Sequence, residues 1–302
     1  MSPGPVQTPA PPEHQLPAQN LLKGVALGIV TVFIGATVAA AGKHLTSQVH
    51  ISAIVFAQYA ICLALALPAL LRDGPRSLAT RRPWVHLVRG ISGCGCFYTY
   101  YLALKYISLA DAALLRNTAP LVVPLIIFLW LGKRIPRASW LPLGLGFLGV
   151  LVVLRPGFSS VSVWHLVGFS SGVGLAISMV STRVLAASEP ENRILFYYFG
   201  ISMLFALPFF LLNYQPVPLS ALPWLVYIGA AMYFTFVLYT RAYSYVAASV
   251  LAPTSYFAVA FAGILDWWIW GYVPDRATLV GVLLIVGAGL LIVRPRGTLA
   301  TD

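Results

Sequence analysis

Acidic residues are few in this chain: eight Asp and Glu among 302 residues, with charged residues of both signs making up only 9%. A soluble domain carries about a quarter charged residues, so an ordinary water-facing surface is excluded. An enzyme buried in a membrane would need clustered polar catalysts. No aspartate-rich magnesium motif and no His-Glu-x-x-His zinc pair occurs. The five histidines (His14, His44, His50, His86 and His165) are scattered over the tail, loops and helix ends. Cysteine is sparser still: Cys62, Cys94 and Cys96 all fall in apolar runs. Cys94-Gly95-Cys96 has neither the spacing nor the neighbouring histidine of a zinc site. Small, buried packing residues are expected there, and nothing in the chain calls for a metal or a cofactor.

Apolar residues are abundant, at 59% of the chain. They gather into ten runs near the length that spans a hydrocarbon core about 30 Å thick. These are 22–42, 51–71, 84–104, 111–131, 138–155, 163–185, 194–212, 222–242, 248–270 and 277–293. In lipid each backbone group must be satisfied within its own segment, so the runs are read as helices. The alternating ten-residue strands of a β-barrel are missing. Residues 1–20 hold six prolines and few large apolar residues, which reads as a disordered cytoplasmic tail rather than a signal peptide.

The net charge of +11 is explained by placement. With the N-terminus inside, fourteen Lys and Arg fall on the cytoplasmic side, among them Lys23, Arg72, Arg89, Arg183 and Arg241. Four remain outside, Lys43, Lys105, Arg155 and Arg276, while Arg116 sits within a run. This is a positive-inside pattern with both termini cytoplasmic. A nucleic-acid role is excluded, because the basic residues are divided among short loops.

The second half repeats the first. An offset of 136 aligns Thr99 with Thr235, Leu102 with Leu238, Lys105 with Arg241 and Thr118 with Thr254. After a three-residue insertion, Arg155-Pro156 aligns with Arg294-Pro295. Five helices per repeat is an odd number, so the copies should enter the bilayer from opposite faces. The expected fold is therefore an all-α membrane protein of ten transmembrane helices in two inverted five-helix repeats, residues 21–157 and 158–297, with a short cytoplasmic tail at 298–302. That architecture places a binding site at the repeat interface.

The motif YLALKYISLADAALLRNTAPL, then LGKRI, then a glycine-rich helix ending LVVLRPG, resembles the EamA domain of the drug/metabolite transporter superfamily. The resemblance covers nearly the whole chain and is plainest in the third to fifth and eighth to tenth helices. It implies movement of small solutes across the cytoplasmic membrane, often export of amino acids or related metabolites. Where that family commonly has a glutamate after the glycine closing helix 4 or 9, this chain has Lys133 and Tyr272.

The fourth run carries the most unusual residues, Asp111 to Pro124. Arg116 lies about a turn and a half inside it, where a charge is costly and functional by default. Asn117, Thr118, Pro120 and Pro124 follow; each proline frees a backbone carbonyl one turn earlier. The counterpart is Pro253-Thr254-Ser255-Tyr256. One reading has Arg116 pairing with a substrate carboxylate while freed carbonyls receive an amine. The plainer reading has it snorkelling to the surface or pairing with Asp111. Asp266 could pair with Arg116 as a gate or carry a proton. Trp267, Trp268 and Trp270 instead favour an interfacial Asp266 in contact with water. Aromatic residues recur at equivalent places: Phe97, Tyr98, Tyr100 and Tyr101 in the third run, Tyr233, Phe234, Phe236 and Tyr239 in the eighth, with Trp164 opening the sixth. They are candidate pocket walls. Gly24, Gly28, Gly168, Gly172 and the glycines of the fifth and tenth runs are read as helix-contact sites.

These readings converge on a secondary transporter working by alternating access, with helices 3, 4, 8 and 9 lining the site and helices 1 and 6 as gates. An amino acid or similar zwitterion is the expected cargo, with cationic amphiphiles or nucleobase-like metabolites as alternatives. Coupling or gating falls to Asp266, Asp111, Pro120 and Pro253. Proton coupling, uncoupled exchange, and a monomeric or homodimeric state all stay open. A ligand-sensing receptor could use the same pocket.

Overall fold

A computed structural model describes residues 18–74, 78–132, 140–154, 163–245, 252–273 and 275–293. Both termini, and the loop residues Lys133, Arg134 and Arg137, lie outside the described residues. Eleven α-helices follow in chain order: α1 (Ala18–Leu45), α2 (Ile51–Asp73), α3 (Pro83–Leu104), α4 (Leu109–Arg116), α5 (Ala119–Leu131), α6 (Trp140–Leu154), α7 (Val163–Ala186), α8 (Glu191–Leu212), α9 (Leu222–Tyr245), α10 (Phe257–Trp270) and α11 (Arg276–Val293). Short 3-10 turns occupy Leu219–Ala221 and Ala252–Tyr256. Among the described residues, six stretches are long and apolar enough to cross a membrane, including Leu22–Leu45, Leu109–Trp130 and Val163–Ala186.

Local chemistry explains the ends. His50 accepts the Ser52 N–H to start α2, and Ser108 accepts the Asp111 N–H to start α4. Pro83 opens α3, where its missing donor costs nothing. Gly132 and Gly271 close α5 and α10 with φ of 64° and 67°, left-handed values that a side chain would disfavour.

The fourth run is not one continuous helix. Pro120 cannot donate to the Arg116 carbonyl, so α4 stops at Arg116 and α5 begins at Ala119. Asn117 N–H still reaches Ala113 O, while Thr118 turns its N–H (3.2 Å) and hydroxyl (2.6 Å) to Leu115 O. In the second half the 3-10 turn Ala252–Tyr256 precedes α10. The α4–α5 break and this 3-10 turn fall where the repeats align, at Thr118 and Thr254.

The packing exchanges in pairs between the halves. Helix α3 packs on α7 as α9 packs on α1, and α3 on α8 as α9 on α2. Helices α4 and α5 pack on α7 as α10 packs on α1, while α2–α8, α6–α11 and α4–α10 join counterparts directly.

At one end of the bundle Glu189, in the α7–α8 turn, gathers Thr80 Oγ1 (2.7 Å), the Arg81 N–H (3.4 Å) and Arg193. Burial acts to raise its carboxyl pKa, but the hydrogen bonds from Arg193, Thr80 and Arg81 outweigh it and hold the group below the usual carboxylate range. A depressed folded pKa contributes stability that is present above the unfolded value and lost as pH falls through the folded one. Glu189→Gln is thus expected to lower the melting temperature at pH 7. The gap from the parent should close on acidification below about pH 4, read by thermal unfolding of purified protein.

Candidate functional site

One face of α3 builds the site. Arg89, Gly93, Cys96, Phe97 and Tyr100 recur at helical spacing and are buried. Arg116, the last residue of α4, lays its guanidinium over Phe97 at 4.4 Å and Tyr100 at 4.8 Å. Its Nε is buried without a hydrogen-bond partner. Two turns along α3, Arg89 is 5% exposed and stacks on the Tyr198 ring of α8 at 4.5 Å. It reaches the Ser178 carbonyl at 3.5 Å, and its Nε also lacks a partner.

Aromatic rings connect the two cations. The Tyr198 and Tyr59 hydroxyls are 3.1 Å apart, and Tyr59 meets Phe97 edge-on. Phe97 neighbours Tyr101, whose hydroxyl donates to Gln58 Oε1 at 2.5 Å, leaving Gln58 Nε2 unpartnered. Glycine makes the closure workable: a Cβ on Gly93 would lie 2.3 Å from the Tyr198 ring. Cation–π contacts are worth about 2 kcal/mol or more when desolvated, while burying an unpaired ion costs several. The rings therefore offset only part of the penalty.

The sequence-predicted residues divide. Arg116 and Tyr101 meet in this cluster. Asn117 and Thr118 instead finish α4, with Asn117 Nδ2 donating to Ala113 O (2.8 Å) and the Thr118 hydroxyl to Leu115 O. Tyr98 is partly buried near Phe209. Trp164 stacks on Tyr106 at 3.8 Å beside the α3–α4 turn. In the second half Thr254 and Tyr256 are buried and the Tyr256 hydroxyl lacks a partner. Tyr239 is partly buried, and Pro253 lies within the 3-10 turn.

The acids correct two expectations. Asp266 does not reach water; it is fully buried, 3.0 Å from Lys43 Nζ, and accepts the Ala110 N–H at 3.0 Å. Nor does it pair with Arg116. It joins α10, α1 and the positive end of the α4 dipole. Asp111 also avoids Arg116 and accepts the Thr278 hydroxyl at 3.0 Å.

Sequence reading missed Arg89, Tyr59, Tyr198, Gln58 and the fully buried His86, whose ring nitrogens lack partners. Arg89 carried a signal, lying beyond the first turn of its run. Sequence reading also overlooked that Gly168-Phe169-Ser170-Ser171-Gly172 matches the letters of a serine elbow. It lies inside α7, with both hydroxyls bonded to α7 carbonyls, so the strand-to-helix turn that exposes a nucleophile is not its setting.

The EamA-like transporter family model matches residues 22–155 and again 162–294. The chain belongs to that family. This transporter is 34% identical over 281 residues to the pseudopaline exporter CntI of Pseudomonas aeruginosa, covering 92% of this chain and 98% of that protein. It is 24% identical over 252 residues to the S-adenosylmethionine uptake transporter of Rickettsia bellii, covering 83% and 86%. A riboflavin transporter of Brucella anthropi is 28% identical over 259 residues, covering 80% and 87%. A protein of solved crystal structure has the same fold, with a TM-score of 0.62 at 22% identity, over 90% of this chain and 97% of that one. The chain is thus a multi-pass membrane transporter of small molecules, and not an enzyme.

Proposed function

We propose that the transporter moves a small metabolite out of the cell, an amino acid or similar zwitterion, by alternating access around the Arg116 cluster. The carrying observation is Arg116 itself, a guanidinium held on Phe97 and Tyr100 beside a break in its helix. A substrate carboxylate on Arg116 supplies the missing countercharge, and the aromatic walls take the side chain. Export is supported by the likeness to the pseudopaline exporter, although the relative from Rickettsia bellii works in uptake. Ten spans in two inverted repeats, divided at 157 and 158, account for the paired packing and for the positive-inside placement that puts both termini in the cytoplasm. Helices α1 and α7 act as gates, since each packs across the repeat boundary. Proton coupling and dimer formation have no support in the geometry described.

Counterflow into proteoliposomes tests this reading. Protein loaded with a mixed pool of amino acids, nucleobases, quaternary amines and organic acids should exchange one class selectively, identified by mass spectrometry. Arg116→Ala should cut that exchange by about a hundredfold or more, the usual cost of truncating a buried charge partner, with no loss of folded yield. Full exchange by Arg116→Ala would remove Arg116 from the site.

A further inference from the structure

Resting on the carrier reading, the geometry points to a substrate with two carboxylates, one held by Arg116 and the other by Arg89. Both guanidiniums lie against the same face of α3, Arg89 buried and Arg116 partly buried, and each has a buried Nε without a partner. Among the described residues neither forms an ion pair. The interior acids are committed elsewhere: Asp266 to Lys43 and the Ala110 N–H, Asp111 to the Thr278 hydroxyl. Glu189, at the end of the bundle, is taken by Arg193. Two like charges in a low-dielectric interior raise each other's cost. A monoanion relieves one of them and leaves the other buried and unpaired. A dianion relieves both.

The spacing is set by α3. Arg89 stacks on Tyr198 at the level of Gly93, and Arg116 sits at the level of Phe97 and Tyr100. At 1.5 Å per residue the levels differ by about 8 Å, which suits carboxylates joined by a short chain. Gln58 Nε2 is a further unpartnered donor beside Tyr101, able to serve an oxygen between them. Guanidinium forks match carboxylate geometry, and the surrounding rings exclude water without supplying competing anions.

The test uses matched pairs in which one carboxylate becomes an amide of the same shape. L-Glutamate, L-2-aminoadipate and L-2-aminopimelate are each compared with their ω-amides, with choline as a cationic probe. Thermal stabilisation of purified protein reads binding, and proteoliposome counterflow reads transport. At least one diacid should bind and exchange tenfold or more better than its amide. Arg89→Gln should bring that ratio near one, and Arg89→Lys should restore part of it. Size-exclusion profiles verify that the variants fold, and the wild-type acid-to-amide ratio stands without them. Amides equal to their acids in every pair, stronger binding of choline, or no stabilisation by any diacid would each overturn the inference. If diacids bind selectively but no compound of any class exchanges, the two-carboxylate site stands and the carrier reading falls. If amides or choline exchange with no preference for diacids, the carrier stands and this inference falls.

Discussion

Gly172→Ala is expected to lower the melting temperature by on the order of ten degrees and to cut transport at least tenfold. The reason lies in what the new methyl meets. A Cβ there would stand 2.6 Å from Thr118 Oγ1, 2.7 Å from the Leu115 carbonyl oxygen and 3.3 Å from that of Arg116. Two of these are backbone atoms at the break between α4 and α5, which cannot rotate away as a side chain does. Either α7 withdraws from α4 and α5, or the break deforms and carries Arg116 with it. Overpacking costs about 1–3 kcal/mol, and the Thr118–Leu115 hydrogen bond adds about one more if it is lost. Gly144→Ala is the control. Its Cβ meets nothing within 4 Å, so its melting point and transport should match the parent. Gly168→Ala should fall between, since its first contact is the flexible end of Leu115 at 3.0 Å. Melting curves and counterflow on the three variants check the order; a silent Gly172→Ala would contradict the close approach.

That ranking marks a limit of what the chain alone discloses. Small-residue spacing marks Gly144, Gly168 and Gly172 alike as helix contacts, yet only the partner helix decides which one faces a carbonyl. The helices themselves were legible because length and apolarity are local properties, and the break at Thr118 was legible because proline acts on its own backbone. Arg116 stood out as a lone charge within an apolar run. Arg89 did not, because its nearness to a helix start let it be counted with the cytoplasmic basic residues. Tyr59 and Tyr198 were invisible for a different reason: an aromatic in an apolar helix reads the same whether it faces lipid, core or a cation. Phe234 and Phe236 make the point, two residues apart in α9. The first is 54% exposed, while the second packs on Tyr198 and Phe199.

Asp266 was misread through its neighbours. Trp267 and Trp268 are 62% and 78% exposed, as an aromatic belt requires, but Asp266 is 0% exposed on another face of the same helix. Its partner Lys43 is 223 residues away in sequence, a separation that no local pattern bridges.

That pairing carries the second large effect. Asp266→Leu should destabilise the protein by about 3–5 kcal/mol, the usual cost of leaving one member of a buried ion pair without its partner. Two groups lose their acceptor together: Lys43, whose side chain is only 16% exposed, and the Ala110 N–H at the start of α4. Lys43 retains its contact with the Trp270 ring at 4.8 Å, which offsets only a fraction. Lys43→Met alone should cost a similar amount, because Asp266 then stays buried with the Ala110 N–H as its one remaining donor. The double variant Lys43→Met with Asp266→Leu should recover most of the loss. Replacing a buried pair with apolar groups of similar volume is often neutral or better, and one unsatisfied N–H costs about 1–3 kcal/mol. A double-mutant cycle on melting temperature measures this directly, since residues in contact do not add. Strict additivity would mean that the two side chains act independently. Strong coupling would establish that this junction of α1, α4 and α10 is held by one ion pair, so that opening the bundle at this end requires breaking it.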